Sequence, residues 1–345
     1  MSIVRSYTNA FEVVDYTQEL NIIPNSWTIL GDTGLFSEEM LSTQTVTFEQ
    51  TDRSLGLIGD QYRGAKPQAN KDDLRKIHAY NIPHFPAYDK ILPQDIQGKR
   101  AYGQQNVAET EAAVMARKME RIRKNFDVTM EVSRFATLTT GNAYAPNGTI
   151  TGNFFTQTGT TQTVVDFVLG TTTTDVVSKV EAVISAMQDN AQTGDIISGV
   201  TAYCSPAFFA KFISHAKIQA AYTYYAATAG QNILRERAGG APAVSGLYRR
   251  FDYAGITFIE IRTVLAGQAL IPSGDVVFVP NGTTESFVTY FGPANKMDLA
   301  NKMAERAYLF SYRDPKGESV DLDAESNFLN VLRRPQLVIR GFSSN

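Results

Sequence analysis

The longest regular pattern in the chain runs from Asn106 to Gly141. Met115, Met119, Ile122, Phe126 and Met130 recur at spacings of four and three, which places them on one stripe of a helix. Arg117, Lys118, Glu120, Arg121, Lys124, Asp127 and Glu131 fall on the opposite, wet face. Asn106 with Glu109 three residues on reads as a capping box, and Gly141 as the left-handed residue that closes the helix. At 1.5 Å per residue the segment reaches about 50 Å, longer than a compact domain requires. It reads as a spine across an extended, flat subunit.

Before the spine the pattern is broken. In residues 1–45 the apolar anchors Ile22, Ile23, Trp27, Ile29, Leu30, Leu35 and Phe36 scatter around Pro24, Gly31 and Gly34. They describe an irregular arm, laid either on another surface or on its own domain. VTFEQ then alternates as a half-buried strand does. Gly56, Gly59, Gly64, Pro67 and the tract GAKPQANKDD follow as a polar tip. In the stretch KIHAYNIPHFPAYDKI, Pro83 and Pro86 exclude helix and disfavour a central strand. Together these arms predict a long extended loop over 46–102, too poor in apolar residues to stand without a neighbour to lie on.

After the spine, GTITGNFFTQTGTTQTVVDFVLG reads as two strands around a Thr/Gly turn. Val176, Val180, Val183, Ile184 and Met187 define a second helix, capped by Thr174 or Asp175 and closed at Gly194. SGVTAYCS predicts a strand and PAFFAKFISHAKI a helix with Pro206 in its first turn. GITFIEI and GDVVFVP are apolar enough to be strands buried on both faces. The tract AAYTYYAATAGQNILRERAGGAPAVSG reads as a mobile or interface-forming loop. The final section predicts three extended pieces, with turns at Asp314–Gly317 and around Asp323–Ser326. The class is α+β.

Composition narrows the function. With 345 residues, 43% hydrophobic and 19% charged, the chain has material for two subdomains. A net charge of −3 provides no bulk basic field for nucleic acid. The one cysteine, Cys204, excludes an intrachain disulfide and a cysteine-rich zinc site, and suits a reducing compartment. No run approaches the roughly 20 apolar residues of a membrane span, and MSIVRSYTNAFEVVDY lacks the apolar core of a signal peptide. These features point to a soluble protein of the cytosol.

No catalytic constellation emerges, so the site assignment is none for catalysis, cofactor and metal alike. His78 and His84 lie six apart in a proline-rich extended stretch, not one helical turn apart as a zincin requires; with His215 they read as structural. Cys204 reads as a small buried strand residue. Asp321, Asp323 and Glu325 alternate as a solvated strand face does and lack calcium-loop spacing. The sequons at Asn147 and Asn281 read as turns. Arg117, Lys118, Arg121, Arg123 and Lys124 form the sharpest charge cluster. They serve phosphates, a subunit contact, or simply the wet side of the spine, where Glu120 and Lys124 are spaced for an ion pair.

The order of elements resembles the tailed-bacteriophage major capsid protein, and in length and texture the lambda-like major head protein family. ARKMERIRKNFDVTMEVSRFATLTTGNAY resembles that family's spine segment, and CSPAFFAKFISHAKIQAAY its strand-to-helix step. YAGITFIEIRT and IPSGDVVFVPNGTTESFVTYFGP resemble successive strands of its axial lobe. The resemblance implies the Hong Kong 97-like fold: an N-terminal arm (1–45), an extended loop (46–102), a peripheral domain with the spine helix (103–195 and 302–332) and an axial domain (196–301 and 333–345). It implies a non-enzymatic subunit that self-assembles, through hexamers and pentamers, into the icosahedral shell around packaged double-stranded DNA. Its implied partners are a separate scaffolding protein, a portal protein and a decoration protein, with DNA touched only weakly and no membrane. Its implied locations are the virion and, during assembly, the host cytoplasm. A bacterial nanocompartment shell of the same fold and a soluble enzyme are the competing readings.

Overall fold

A computed structural model describes residues 28–52, 74–99, 108–144, 150–191, 197–221, 249–262, 264–283 and 285–344. A short helix α1 (Ile29–Thr33) and strand β1 (Ser37–Met40) precede a hairpin of β2 (Thr45–Asp52) and β3 (Leu74–Asn81). Strand β4 (His84–Ile91) leads to the spine helix α2 (Glu111–Thr140), and β5 (Asn142–Tyr144), β6 (Ile150–Asn153), α3 (Phe154–Thr158) and β7 (Val164–Asp166) follow. Next come α4 (Val176–Asn190), β8 (Gly199–Cys204), α5 (Pro206–Ser214), β9 (Arg250–Tyr253) and β10 (Ile256–Glu260). The small pair β11 (Val264–Leu265) and β12 (Gln268–Ala269) precedes β13 (Asp275–Asn281), β14 (Phe287–Phe291), β15 (Tyr308–Arg313), β16 (Val320–Leu332) and β17 (Ile339–Phe342).

Two sheets organise these elements. The six-stranded sheet has the order β7-β17-β13-β8-β10-β9. Its central strands β8 and β13 are mostly apolar because both faces are covered. Val276, Phe278, Ala202 and Cys204 point into a cluster with α4 and α5, while Val277, Val279 and Tyr203 point into the cluster built on the spine. The α4–α5 side is aromatic: Phe212 stacks on Phe258 at 4.3 Å, and Phe167 meets Phe208 at 5.4 Å and Phe278 at 5.7 Å. Burying each such ring contributes about 1.5–3 kcal/mol. Asp175 caps α4 by accepting from Ser178 N at 3.4 Å, and Ser205 caps α5 by accepting from Phe208 N at 3.4 Å, with Pro206 in the first turn.

The five-stranded sheet has the order β1-β14-β16-β15, with β4 on the other side of the first half of β16. The spine packs across it. Met115 and Met119 meet Ile91, Val320 and Leu322; Ile122 and Phe126 meet Ala324; Met130 meets Phe291 and Phe328. The expected stripe is therefore the contact, extended at its start by buried Val114. Its 30 residues span about 45 Å. Gly141 closes the helix as expected, at φ 70°, where an added Cβ would also collide with the Phe155 ring.

Several expectations need correction. The spine is capped by Thr110, which accepts from Ala113 N at 3.2 Å; Glu109 lies outside the helix, and Asn106 is outside the described residues. Glu131 is buried, not on a wet face, because residues 131–135 of the helix are all buried. Residues 154–158 form α3 where a turn was expected, since Asn153 caps them by accepting from Thr156 N. No turn breaks 323–326: β16 runs through, because Lys296 binds Asp323, Asn295 N donates to Glu325, and Ser326 donates to the Arg306 carbonyl. Neighbours satisfy polar groups that, in sequence, resemble turn chemistry.

The loop reading also changes. Only β2 and β3 pair as a hairpin, Thr45↔Asn81 to Asp52↔Leu74, and its base sits on the chain's own core through Val46 and Tyr80. β4 is instead an edge strand bonded along β16, an edge being where Pro86 costs no ladder bond. From the arm, Ile29, Leu30 and Phe36 are buried in the same core, and β1 pairs in parallel with β14. β7 and α4, expected in the segment 103–195, pack with the six-stranded sheet, and β14, expected in the segment 196–301, joins the five-stranded one. Residues 1–27, the tract GAKPQANKDD, Gly194, Asn147 and residues 222–248 lie outside the described residues.

Candidate assembly surfaces

The first half of the spine carries the basic cluster, and the fold spends most of it internally. Lys118 binds Asp89 at 3.0 Å and Asp95 at 3.6 Å; Arg121 reaches Asp89 at 3.0 Å, Arg117 reaches Glu109 at 2.9 Å, and Lys124 reaches Glu120 at 2.8 Å. Arg313 on β15 binds Glu111 at the helix start. Partial burial pushes the Asp89 carboxyl up, but the bonds from Lys118 and the Lys90 amide outweigh it and hold the group below its ordinary range. Lys118 and Arg121, through Asp89, clamp β4 onto the helix, while Arg117 and Lys124 pair with Glu109 and with Glu120 of the same helix.

The second half of the spine carries charge in a dry setting. Glu131 and Arg134 are each 2% exposed. Arg134 donates to Thr289 Oγ1 at 3.0 Å and to Glu38 at 3.1 Å, and lies over the Phe36 ring. Thr289 donates to Asn330, which donates to Ser133 at 2.9 Å. Each group has a partner, which is what makes a buried polar layer tolerable. Sequence periodicity had no signal for this layer beyond a charged pair inside an otherwise apolar stretch.

Along the first half of β16, the face of the five-stranded sheet turned away from the spine is the open one, whereas β14 and the second half of β16 are buried on both faces. Alternation puts Leu322 and Ala324 on the helix and Asp321, Asp323 and Glu325 outward. Across the pairs, Tyr88 and Phe310 flank Asp323, and Lys90 and Tyr312 flank Asp321. Tyr308, Phe310 and Tyr312 stack along β15 at 6.3 and 6.5 Å, with the Lys296 ammonium over the last two rings at 5.3 and 5.4 Å. Tyr88 is 62% exposed, Tyr312 48%, and the neighbouring Met297 92%. Large apolar groups standing in water beside alternating charge are the anatomy of an interaction surface. Glu325 departs from the expected solvated row: it is buried, accepting from Asn295 N at 3.1 Å beside His84. The period-two pattern of YLFSYR was the signal that could have revealed this surface. On the β2–β3 hairpin Ile77 also stands exposed, at 71%.

The remaining residues singled out in sequence are structural. His84 pairs with Asn327 at 2.7 Å, His215 donates to the Thr171 carbonyl at 3.0 Å, and His78 lies against Phe48. Cys204 is fully buried, and burial pushes its thiol well above the ordinary range. Asn281 ends β13 and donates to Thr201, with Gly282 turning at φ 80°. Among the described residues no cluster of three His, Cys, Asp or Glu has metal-holding geometry, and no helix is long and apolar enough to cross a membrane.

Comparison with known proteins agrees with this picture. The model of a family described as phage major capsid protein E matches residues 12–343. The major capsid protein of Pseudomonas phage KPP10 is 41% identical over 349 residues, covering 98% of each chain. That of Salmonella phage Felix O1 is 27% identical, covering 98% of this chain and 97% of the relative. Among solved structures, the capsid of cyanophage P-SCSP1u superimposes with a TM-score of 0.55 at 11% identity, covering 97% of this chain and 93% of the other. The capsid of Myoviridae phage XM1 gives 0.55 at 6% identity, covering 96% of each. At such identities the likeness is one of fold: the tailed-phage capsid, Hong Kong 97-like, architecture.

Proposed function

Because the chain belongs to the phage major capsid protein E family, and is thus a shell-forming structural subunit of a phage virion rather than an enzyme, we propose how its surfaces build that shell. Copies of the chain form hexamers and pentamers that close an icosahedral shell around packaged double-stranded DNA. The six-stranded sheet with α4 and α5 is the axial lobe. The spine with the five-stranded sheet is the peripheral lobe, and the β2–β3 hairpin reaches onto an adjacent subunit. The observation that supports this is the outward face bearing Tyr88, Tyr312 and Met297, which the described residues of one chain leave uncovered. The internal pairing of the spine's basic run supports only weak, non-specific contact with DNA.

A separate scaffolding protein, a portal and a decoration protein complete the proposed set of partners, with assembly in the host cytoplasm. Placement with the lambda-like head proteins rests on the stretches quoted from the sequence. The nanocompartment alternative is disfavoured because the curated relatives are phage capsid proteins. Expression of the full chain with and without the phage's scaffolding protein, followed by sedimentation and negative-stain microscopy, tests the proposal. Capsomers and closed shells are expected. Only monomers or dimers at every concentration would contradict it.

A further inference from the structure

The spine meets the N-terminal segment through one carboxylate. Glu131 accepts from the backbone amide of Leu30 at 2.7 Å and from that of Gly31 at 3.3 Å. These amides open α1, where a helix leaves its donors unbonded, and Thr28 makes no side-chain cap there. A side chain about a hundred residues away thus serves as the cap, from inside the core. The groups facing it are Arg134 on its own helix, Asp32 from α1 and Tyr203 from β8. Behind Arg134 stand Glu38 of β1 at 3.1 Å and Arg306, which also binds Asp127. Docking of residues 28–38 therefore decides whether this carboxyl is buried or wet.

We propose that Glu131 is a proton-linked clasp: residues 28–38 dock on the spine helix with uptake of a proton at this carboxyl, and loosen as the proton leaves. Burial is the largest influence on the group and raises its pKa to about 7, against the pull of the Leu30 amide, Arg134 and the Gly31 amide. Released into water, the carboxyl returns to its ordinary 4.5. The docked form holds the proton more tightly, so docking is firmest below the released value and weakens as pH rises through the docked one.

Hydrogen exchange of the full chain, corrected for intrinsic rates, reads this directly. Protection over 28–38 is compared at about pH 5 and about pH 8, with α4 as internal reference. In the natural chain protection is expected to fall about tenfold or more at the higher pH, while Glu131→Gln, which keeps an acceptor for the amides but cannot ionise, holds the same protection at both. A natural chain whose protection does not change overturns the proposal, whether or not the variant folds. A variant that changes in parallel with the natural chain overturns it too.

Discussion

The two sheets are stabilised by different means. The six-stranded sheet is enclosed by aromatic rings and aliphatic side chains on one face and by the spine's core on the other, and its strands need nothing further. Along the first half of β16, the five-stranded sheet has one dry face and one wet one, and ion pairs hold its edges. Area removed from water scales with burial, whereas partly exposed ion pairs contribute about 1 kcal/mol or less each. The six-stranded sheet is thus covered by the chain's own side chains, whereas along the first half of β16 one face of the five-stranded sheet stands open among the described residues.

Substitutions can separate the two. Phe212→Ala opens a cavity among five rings and is expected to cost about 3–5 kcal/mol in the isolated subunit, measured by denaturant unfolding. Met119→Pro breaks the spine at its contact with Leu322, costs about 3 kcal/mol or more, and abolishes shells in electron micrographs. If Met119→Pro still forms normal shells, the spine is not the organising element. Lys118→Ala should cost only about 1 kcal/mol or less at neutral pH. The Asp89 carboxyl is held low in the folded chain, so this difference is present above its ordinary 3.8 and disappears as pH falls below that value. Tyr88→Ser with Tyr312→Ser should leave unfolding of the isolated subunit within about 0.5 kcal/mol while reducing the yield of shells, a contrast that sedimentation of both preparations would reveal.

The sequence was most legible where a single period ran without interruption. The spine stripe, α4, the Pro206 start of α5, the strand β8 and the doubly buried β13 all follow from local pattern. It was least legible where tertiary partners rewrite local chemistry. Asp323–Ser326 looked like a turn, yet they are strand residues held by Lys296 and by the Asn295 amide. Glu131 looked solvated by period, yet it caps a helix a hundred residues away. The arm's Leu30 and Phe36 looked equally suited to a neighbour or to the chain's own core, and only long-range pairing of β1 with β14 decides for the latter. The outward face of β15 was written in the sequence as alternation, but its significance required knowing that the opposite face was already occupied.

If, as proposed, other copies of the chain cover the open face of the five-stranded sheet, its exposed side chains become shielded on assembly. Hydroxyl-radical footprinting of assembled particles against dissociated subunits, read by mass spectrometry at Met297, Tyr88 and Tyr312, tests it most directly. Strong oxidation of all three is expected in the free subunit, where they are exposed, and marked protection in the particle. Equal oxidation of all three in both states would contradict it.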